Sequence, residues 1–281
     1  MGDRTSANSN GSEVSELALG PGLPTMRIGW GPRTLVFLPG LSLHPGVPTG
    51  MERRMAMSGW DALALSDYSL FRVGRRVRPV GTSFAEMAED AIEAVEELGP
   101  PVDLMGASTG GMLALHVAAA RPDLIRRLVL VITGATFSDY GRSMAQRVIT
   151  AANAGRWRTV FGTVMPIGSR SGPGRSAYGA LGWLLGPRLV GIPSDPTLLL
   201  AELEAWRQVD AEPLLDRISC PTLIVGGADD PVFPPPITEA MGRGIRGATV
   251  AIMPRMAHDF PARLTSDHIA PFLLRADAPL P

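Results

Sequence analysis

The stretch Val102-Asp103-Leu104-Met105-Gly106-Ala107-Ser108-Thr109-Gly110-Gly111 constrains this chain more than any other. A short apolar run leads into G-x-S-x-G, and a helical pattern follows at once. In that setting the motif marks a sharp strand-to-helix turn that carries a nucleophilic serine. Gly106 and Gly110 remove Cβ atoms where neighbouring backbone closes in. Ser108 can then hold a strained conformation, with its hydroxyl exposed above the sheet. The helix that begins behind it turns backbone N–H groups and the positive end of its dipole toward the same spot. Without those flanks the motif would mean only a glycine-rich turn with a solvent-facing serine.

A serine hydroxyl is a weak nucleophile at neutral pH, so it needs a base, and the base needs an acid to orient it. Thr222-Leu223-Ile224-Val225-Gly226 reads as a buried strand running into the turn Gly227-Ala228-Asp229-Asp230-Pro231, which would hold a carboxylate at the strand end. Ala248-Thr249-Val250-Ala251-Ile252 is another strand-like run, followed by a loop with Met256-Ala257-His258-Asp259. The chain has four histidines. His116 lies inside the helix after the serine and reads as a packed or site-lining residue. His268 falls in a C-terminal helix and reads as solvated. His44 follows the first strong strand and is placed to border the site. His258 follows the last strand and is the expected base. Asp229 and Asp230 cannot both point at His258. Asp230 precedes proline, which biases it toward an extended or turn conformation from which its carboxylate projects, so Asp230 is the expected acid. Asp229 then becomes a turn residue bonded to its own backbone.

The remainder alternates strand and helix, which predicts a mostly parallel sheet covered on both faces. Met26–Gly29 and Thr34–Leu38 read as early strands joined through Trp30-Gly31-Pro32. Glu52 to Leu65 is read as a first helix and Leu70–Val73 as the next strand. Ser83-Phe84-Ala85-Glu86 is a capping box that opens a helix with Met87, Ala91, Val95 and Leu98 on one face. Leu128–Thr133 is the strand after the serine helix. Residues 136–207 break the alternation with Trp157, Phe161, Tyr178, Trp183 and many glycines. As a group those aromatics predict an apolar roof over the serine. Arg72, Arg75, Arg76 and Arg78 read as a solvated surface, with a handle for an acidic substrate as the lesser reading.

On Leu35-Val36-Phe37-Leu38-Pro39-Gly40, Gly106–Gly111, Pro221–Pro231 and His258, the chain resembles the α/β-hydrolase superfamily over residues 25 to 275. The resemblance implies an α/β-hydrolase fold: a mostly parallel central sheet, helices on both faces and a helical lid insertion. It divides the chain into a core at 23–135 and 208–281 and a lid at 136–207, while the polar composition of residues 1–22 reads as a disordered tail. The antiparallel hairpin that precedes the core in many members is expected to be shortened. The resemblance also implies an oxyanion hole built from the backbone N–H groups of Leu41 and Thr109. Members usually carry His-Gly where this chain has Pro39-Gly40. The change leaves both donors in place, but the usual hydrogen bonding of that loop is no longer assured. A serine at position 108 excludes the aspartate-nucleophile branches, the haloalkane dehalogenases and epoxide hydrolases.

The expected activity is therefore a serine hydrolase with the triad Ser108, His258 and Asp230. Its expected substrate is a small or medium, partly apolar carboxylic ester, lactone or thioester, handled through an acyl-enzyme. The alternatives are an acyltransferase or cofactor-free haloperoxidase/perhydrolase using the same triad, and a non-catalytic ligand receptor on the same fold. None of these requires a metal or an organic cofactor, and the expected partner is a small-molecule acyl substrate. The formal net charge of −1 gives no reason to expect nucleic acid or an anionic membrane as main partner. Every basic position other than histidine is arginine, which excludes a Ser-Lys dyad or a Schiff base. Cys220 is the single cysteine, so no intrachain disulfide forms, and it reads as a small buried apolar residue. No stretch is long and apolar enough to span a bilayer. The first ten residues are polar and lack the apolar segment of a signal peptide, so a cytoplasmic enzyme is expected.

Overall fold

The apolar runs of the chain gather into one sheet in the computed structural model. It describes all residues except 1–5, 8–12, 51–52, 55–59, 61–62, 64–66, 171 and 276–281. Nine strands are found among the described residues. They are β1 Ser6–Ala7, β2 Glu13–Leu19, β3 Leu23–Ile28, β4 Arg33–Leu38, β5 Tyr68–Val73, β6 Val102–Ala107, β7 Ile125–Val131, β8 Thr222–Gly227 and β9 Thr249–Met253. Their order across the sheet is β1-β2-β3-β5-β4-β6-β7-β8-β9. Strands β4 to β9 pair in parallel, while β1, β2 and β3 add on as an antiparallel edge.

Side chains alternate between the two faces with the period of a strand, and helices bury both faces. Leu35 and Phe37 join one core with Leu70, Met105, Val129 and Ile269. Val36 and Leu38 join the opposite core with Leu104, Leu128 and Leu130. Helix α1, Phe84–Glu97, and helix α2, Thr109–Ala120, pack on that second face. The predicted capping box is present: Ser83 Oγ accepts from Glu86 N–H, and the Glu86 carboxylate accepts from Ser83 N–H. In α2 ten of the twelve residues are buried, because this helix is enclosed between the sheet and its neighbours.

Four helices stand between β7 and β8. They are α3 Asp139–Asn153, α4 Trp157–Val164, α5 Pro173–Leu189 and α6 Thr197–Gln208. Helices α7 Pro235–Gly244 and α8 Ala270–Leu273 complete the described set. No helix among the described residues is long and apolar enough to cross a membrane.

Three expectations need correction. The disordered tail expected over 1–22 is interrupted by β2, which pairs with β3 from Val14↔Ile28 to Leu19↔Leu23. The antiparallel hairpin is thus present and not shortened. Val14 and Leu19 are buried by it, and Gly22 N–H closes the turn onto Leu19 C=O at 3.2 Å. The aromatics of 136–207 do not form a common roof. Phe161 is buried within the insertion, where Gly182 and Gly186 of α5 fit against it. Tyr178 and Trp183 are about half exposed, at 47% and 50%, and Arg158 lies over the Trp183 ring. The glycine face of α5 makes the close contact, so its larger side chains turn outward. Finally, of the four arginines in and after β5 only Arg76 stays at the surface. Arg72 is buried, Arg76 and Arg78 both pair with the buried Asp90, and Arg75 pairs with the buried Glu202. A first helix over Glu52–Leu65 falls largely outside the described residues.

Candidate active site

Parallel strands present their carboxyl ends along one edge of the sheet, and loops leaving that edge meet where the strand order reverses. Here β4 lies beside both β5 and β6, with Leu38 in register with Gly106. The loop after β4 therefore lies against the turn after β6. A Cβ built on Gly40 would stand 3.2 Å from Ser108 Cβ.

Ser108 occupies the turn between β6 and α2 with φ 52° and ψ −122°. A positive φ is strained for any residue with a Cβ, and its surroundings hold it there. Its N–H donates to Val131 C=O at 3.0 Å. Its C=O accepts from Gly111 N–H at 2.9 Å and from the Thr133 hydroxyl at 2.7 Å. The two glycines of the motif are needed as expected. A Cβ on Gly106 would stand 2.3 Å from Gly110 O, and one on Gly110 would stand 2.0 Å from Leu38 O. Ser108 is 8% exposed, so little of the residue reaches solvent.

The structure brings Ser108, His258 and Asp230 together. Ser108 Oγ lies 2.9 Å from His258 Nε2, and His258 Nδ1 lies 2.9 Å from Asp230 Oδ2. Asp230 is 2% exposed, and its other oxygen, Oδ1, accepts from Val232 N–H at 2.8 Å and Phe233 N–H at 3.1 Å. The turn bonding expected of Asp229 thus belongs to Asp230, whose two oxygens divide the work. Asp229 is partly exposed, and its N–H donates to Met256 C=O at 2.9 Å, which ties the loops after β8 and β9 together. His258 is fixed from two further sides. Its backbone N–H donates to Ile167 C=O at 3.0 Å, and its ring lies 5.8 Å from that of Phe233. Ile167 belongs to a 3₁₀ turn, Met165–Gly168, so the segment inserted between β7 and β8 touches the histidine directly.

Thr109 follows Ser108 directly, and Leu41 follows Gly40, the residue that lies against Ser108. Among the described residues, neither backbone N–H has an acceptor. Thr109 opens α2, where the first N–H groups have no partner within the helix. Its hydroxyl oxygen is likewise buried without a hydrogen-bond partner among the described residues.

The other histidines stand apart from this group. His44 Nε2 lies 3.3 Å from Val190 O, beyond the end of α5. His116 faces Met112 C=O with Nδ1 at 2.9 Å and stacks on Phe84, and burial lowers its pKa. His268 is partly buried in the turn Thr265–Ile269. Cys220 is buried, and burial pushes its thiol up to about 11.

Sequence reasoning missed the residues that hold this site from behind. Thr133 supports the serine carbonyl, and the residue before it, Ile132, has a φ of 44°. A β-branched residue there is strained, and its N–H bond to Val225 C=O at 2.8 Å helps fix it. Trp206 of α6, Phe137 and Phe233 form a file of rings 4.7 and 4.8 Å apart that ends at His258. The signal for Thr133 was weak, a polar residue at the end of an apolar strand. For Trp206 it was only residue type on a helix.

Comparison with known proteins agrees with this architecture. A family model described as alpha/beta hydrolase family matches residues 35–271. A pimeloyl-(acyl-carrier protein) methyl ester esterase of Neisseria meningitidis serogroup A is 32% identical over 200 residues, covering 69% of this chain. The match spans 58% of that relative's own length, less than two thirds of it. A protein of the same name from Nitrosomonas europaea is 26% identical over 250 residues, covering 83% of this chain and 92% of the relative. An enol-lactonase from Burkholderia xenovorans superposes with a TM-score of 0.72 at 17% identity, over 97% of this chain and 100% of the other, a likeness of fold. With the family model spanning the parallel strands from within β4 to β9, the serine turn and the histidine loop, the chain belongs to the alpha/beta hydrolase family.

Proposed function

We propose that the protein is a serine hydrolase that cleaves a small or medium, partly apolar carboxylic ester, lactone or thioester through an acyl-enzyme. One observation carries this reading: the continuous hydrogen-bonded line Ser108 Oγ, His258, Asp230, with each link at 2.9 Å. His258 Nε2 takes the proton of Ser108 as Oγ attacks the acyl carbon. Asp230, its second oxygen satisfied by backbone, keeps the other imidazole proton on Nδ1 and stabilises the imidazolium. The oxyanion lies between the N–H groups of Leu41 and Thr109, both without an acceptor among the described residues. Removing one such donor typically costs about 3 kcal/mol of barrier. His258 then returns its proton to the leaving alcohol or thiol. In the second half it activates water, which attacks the acyl carbon and frees Ser108.

The relatives named for a methyl ester support an ester over an amide. The helices of 136–207 act as the cap, contributing Ile167 and the Trp206–Phe137 file as apolar walls. The test is covalent labelling with a fluorophosphonate. Wild type should be labelled at Ser108, and the folded Ser108→Ala variant should not. A panel of acyl esters of rising chain length, with lactones alongside, should then give turnover with water as acceptor. Labelling of Ser108→Ala at the wild-type rate would remove the assignment. Turnover only with added alcohol, thiol or peroxide would replace hydrolysis by the corresponding transfer.

A further inference from the structure

The Pro39-Gly40-Leu41 loop is gripped by an ion pair that reaches it from the cap. Arg75 follows β5, and its Nη2 donates to Pro39 C=O at 2.7 Å while its Nη1 donates to Gly40 C=O at 3.0 Å. The same Nη1 lies 3.0 and 3.2 Å from the two carboxylate oxygens of Glu202, on cap helix α6. Both side chains are almost fully buried. Burial pushes the Glu202 carboxyl up, and Arg75 and the backbone N–H of Ser42 oppose that by favouring its charged form.

The geometry of a trans peptide gives this grip a consequence. In a planar trans unit the C=O and the next N–H point in opposite directions. Gly40 and Leu41 share such a unit, and the only cis bond among the described residues is Pro100–Pro101. Fixing Gly40 C=O on Arg75 therefore turns Leu41 N–H to the other side, where it is left without an acceptor. The loop itself lies alongside Ser108.

We propose that Arg75 and Glu202 are positioning residues that set the oxyanion donor Leu41 N–H, so that the place of cap helix α6 governs the chemical step. This rests on the serine-hydrolase reading above. Arginine suits the task because its planar fork reaches two carbonyls and a carboxylate at once, which a lysine ammonium cannot reproduce. Neither residue touches the reacting atoms, and both act through one peptide plane.

The test uses the full chain with the double variant Arg75→Met/Glu202→Met and the single variant Arg75→Lys. Replacing a buried ion pair by apolar groups of similar volume is often neutral for folding, so the double variant should keep a cooperative melt. On a short activated ester its kcat should fall roughly 100- to 1,000-fold, as for loss of an oxyanion donor. KM should stay within about threefold, since ground-state binding is untouched. Arg75→Lys keeps the charge and should lose about tenfold in kcat. Amide hydrogen exchange of the peptide covering residues 38–45 should be about tenfold faster in the double variant. Wild-type kcat in either folded variant, or unchanged exchange in the double variant, would overturn the proposal. If the double variant does not fold, Arg75→Lys decides by the same kcat and KM criteria. Should wild type fail to react at Ser108 at all, the hydrolase reading falls by itself. The exchange measurement still decides whether the pair holds the loop.

Discussion

The hydroxyl of Thr133 donates to the backbone carbonyl of Ser108 at 2.7 Å, from the turn that ends the neighbouring strand. The nucleophile's strained backbone is thus held by β7 as well as by its own helix. Thr133 stands directly after Ile132, whose φ of 44° is also strained and whose N–H is held by Val225 C=O.

Replacing Thr133 by valine keeps the shape and removes that bond. The Ser108 carbonyl retains Gly111 and Met112 as donors, so the expected loss of stability is about 1 kcal/mol. Looser placement of Oγ should lower kcat by up to about tenfold with KM unchanged. Denaturant unfolding and steady-state kinetics check the two effects separately. A variant equal to wild type in both would show that β7 does not brace the serine.

The two adjacent aspartates should behave very differently. In Asp230→Asn the amide oxygen can still accept from Val232 and Phe233, but its NH₂ group then faces His258 Nδ1. The imidazole is pushed into the tautomer that cannot accept the Ser108 proton, and kcat should drop by about 10⁴. Asp229→Asn touches neither partner of the line and should stay within about threefold. Parallel kcat measurements on one ester rank the pair, and the reverse ranking would move the acid role to Asp229.

These residues were legible in the sequence because each lies at the end of a strand, in a turn whose chemistry is local. The glycines around Ser108 and the proline after Asp230 both act within a few residues of the group they position. Strand β2 is hard to read locally because polar residues precede it and Glu13, Ser15 and Glu16 interrupt its apolar positions, and only Gly20-Pro21-Gly22 marks the turn to β3. The Arg75–Glu202 pair was not legible at all. Its members are 127 residues apart, and nothing local tells an arginine that ends in a buried fork from one that ends in water. The direction of the cap aromatics is hidden for a related reason. Residue type announces apolar area but not its direction. In α5 the spacing of Gly179, Gly182 and Gly186 marks the packed face, which leaves Trp183 on the outward one.

That geometry changes which cap residues should control substrate preference. Trp183 is half exposed beneath Arg158, so Trp183→Ala should leave the ratio of kcat/KM between short and medium acyl esters within about twofold. Trp206 and Phe137 belong to the file of rings that reaches His258. Trp206→Phe and Phe137→Leu should each change that ratio by about 10-fold, the effect of one or two methylenes of pocket space. An unchanged profile in both would remove the ring file from the pocket wall.

Stability should fall at alkaline pH through one buried thiol. Burial raises the Cys220 thiol from 9.0 to about 11, because the thiolate loses its hydration. A raised acid pKa means that the folded state prefers the protonated form. Its contribution to stability is complete below the unfolded value and is lost as pH rises toward the folded value. Between pH 9 and 11 that loss amounts to about 2 to 3 kcal/mol. Tyr68, raised to about 12 by burial and by its bond to Asp103, continues the same trend above pH 10. Cys220→Ala removes only the first contribution. Its stability at pH 8 should be somewhat lower, through the small cavity left behind, while its decline from pH 8 to 11 should be shallower than that of wild type. Urea unfolding at a series of pH values reads this directly. Equal slopes would mean that the thiol ionises as readily in the fold as in the open chain. Alkylation gives an independent view: native protein at pH 8 should resist iodoacetamide at Cys220, and unfolded protein should react within minutes.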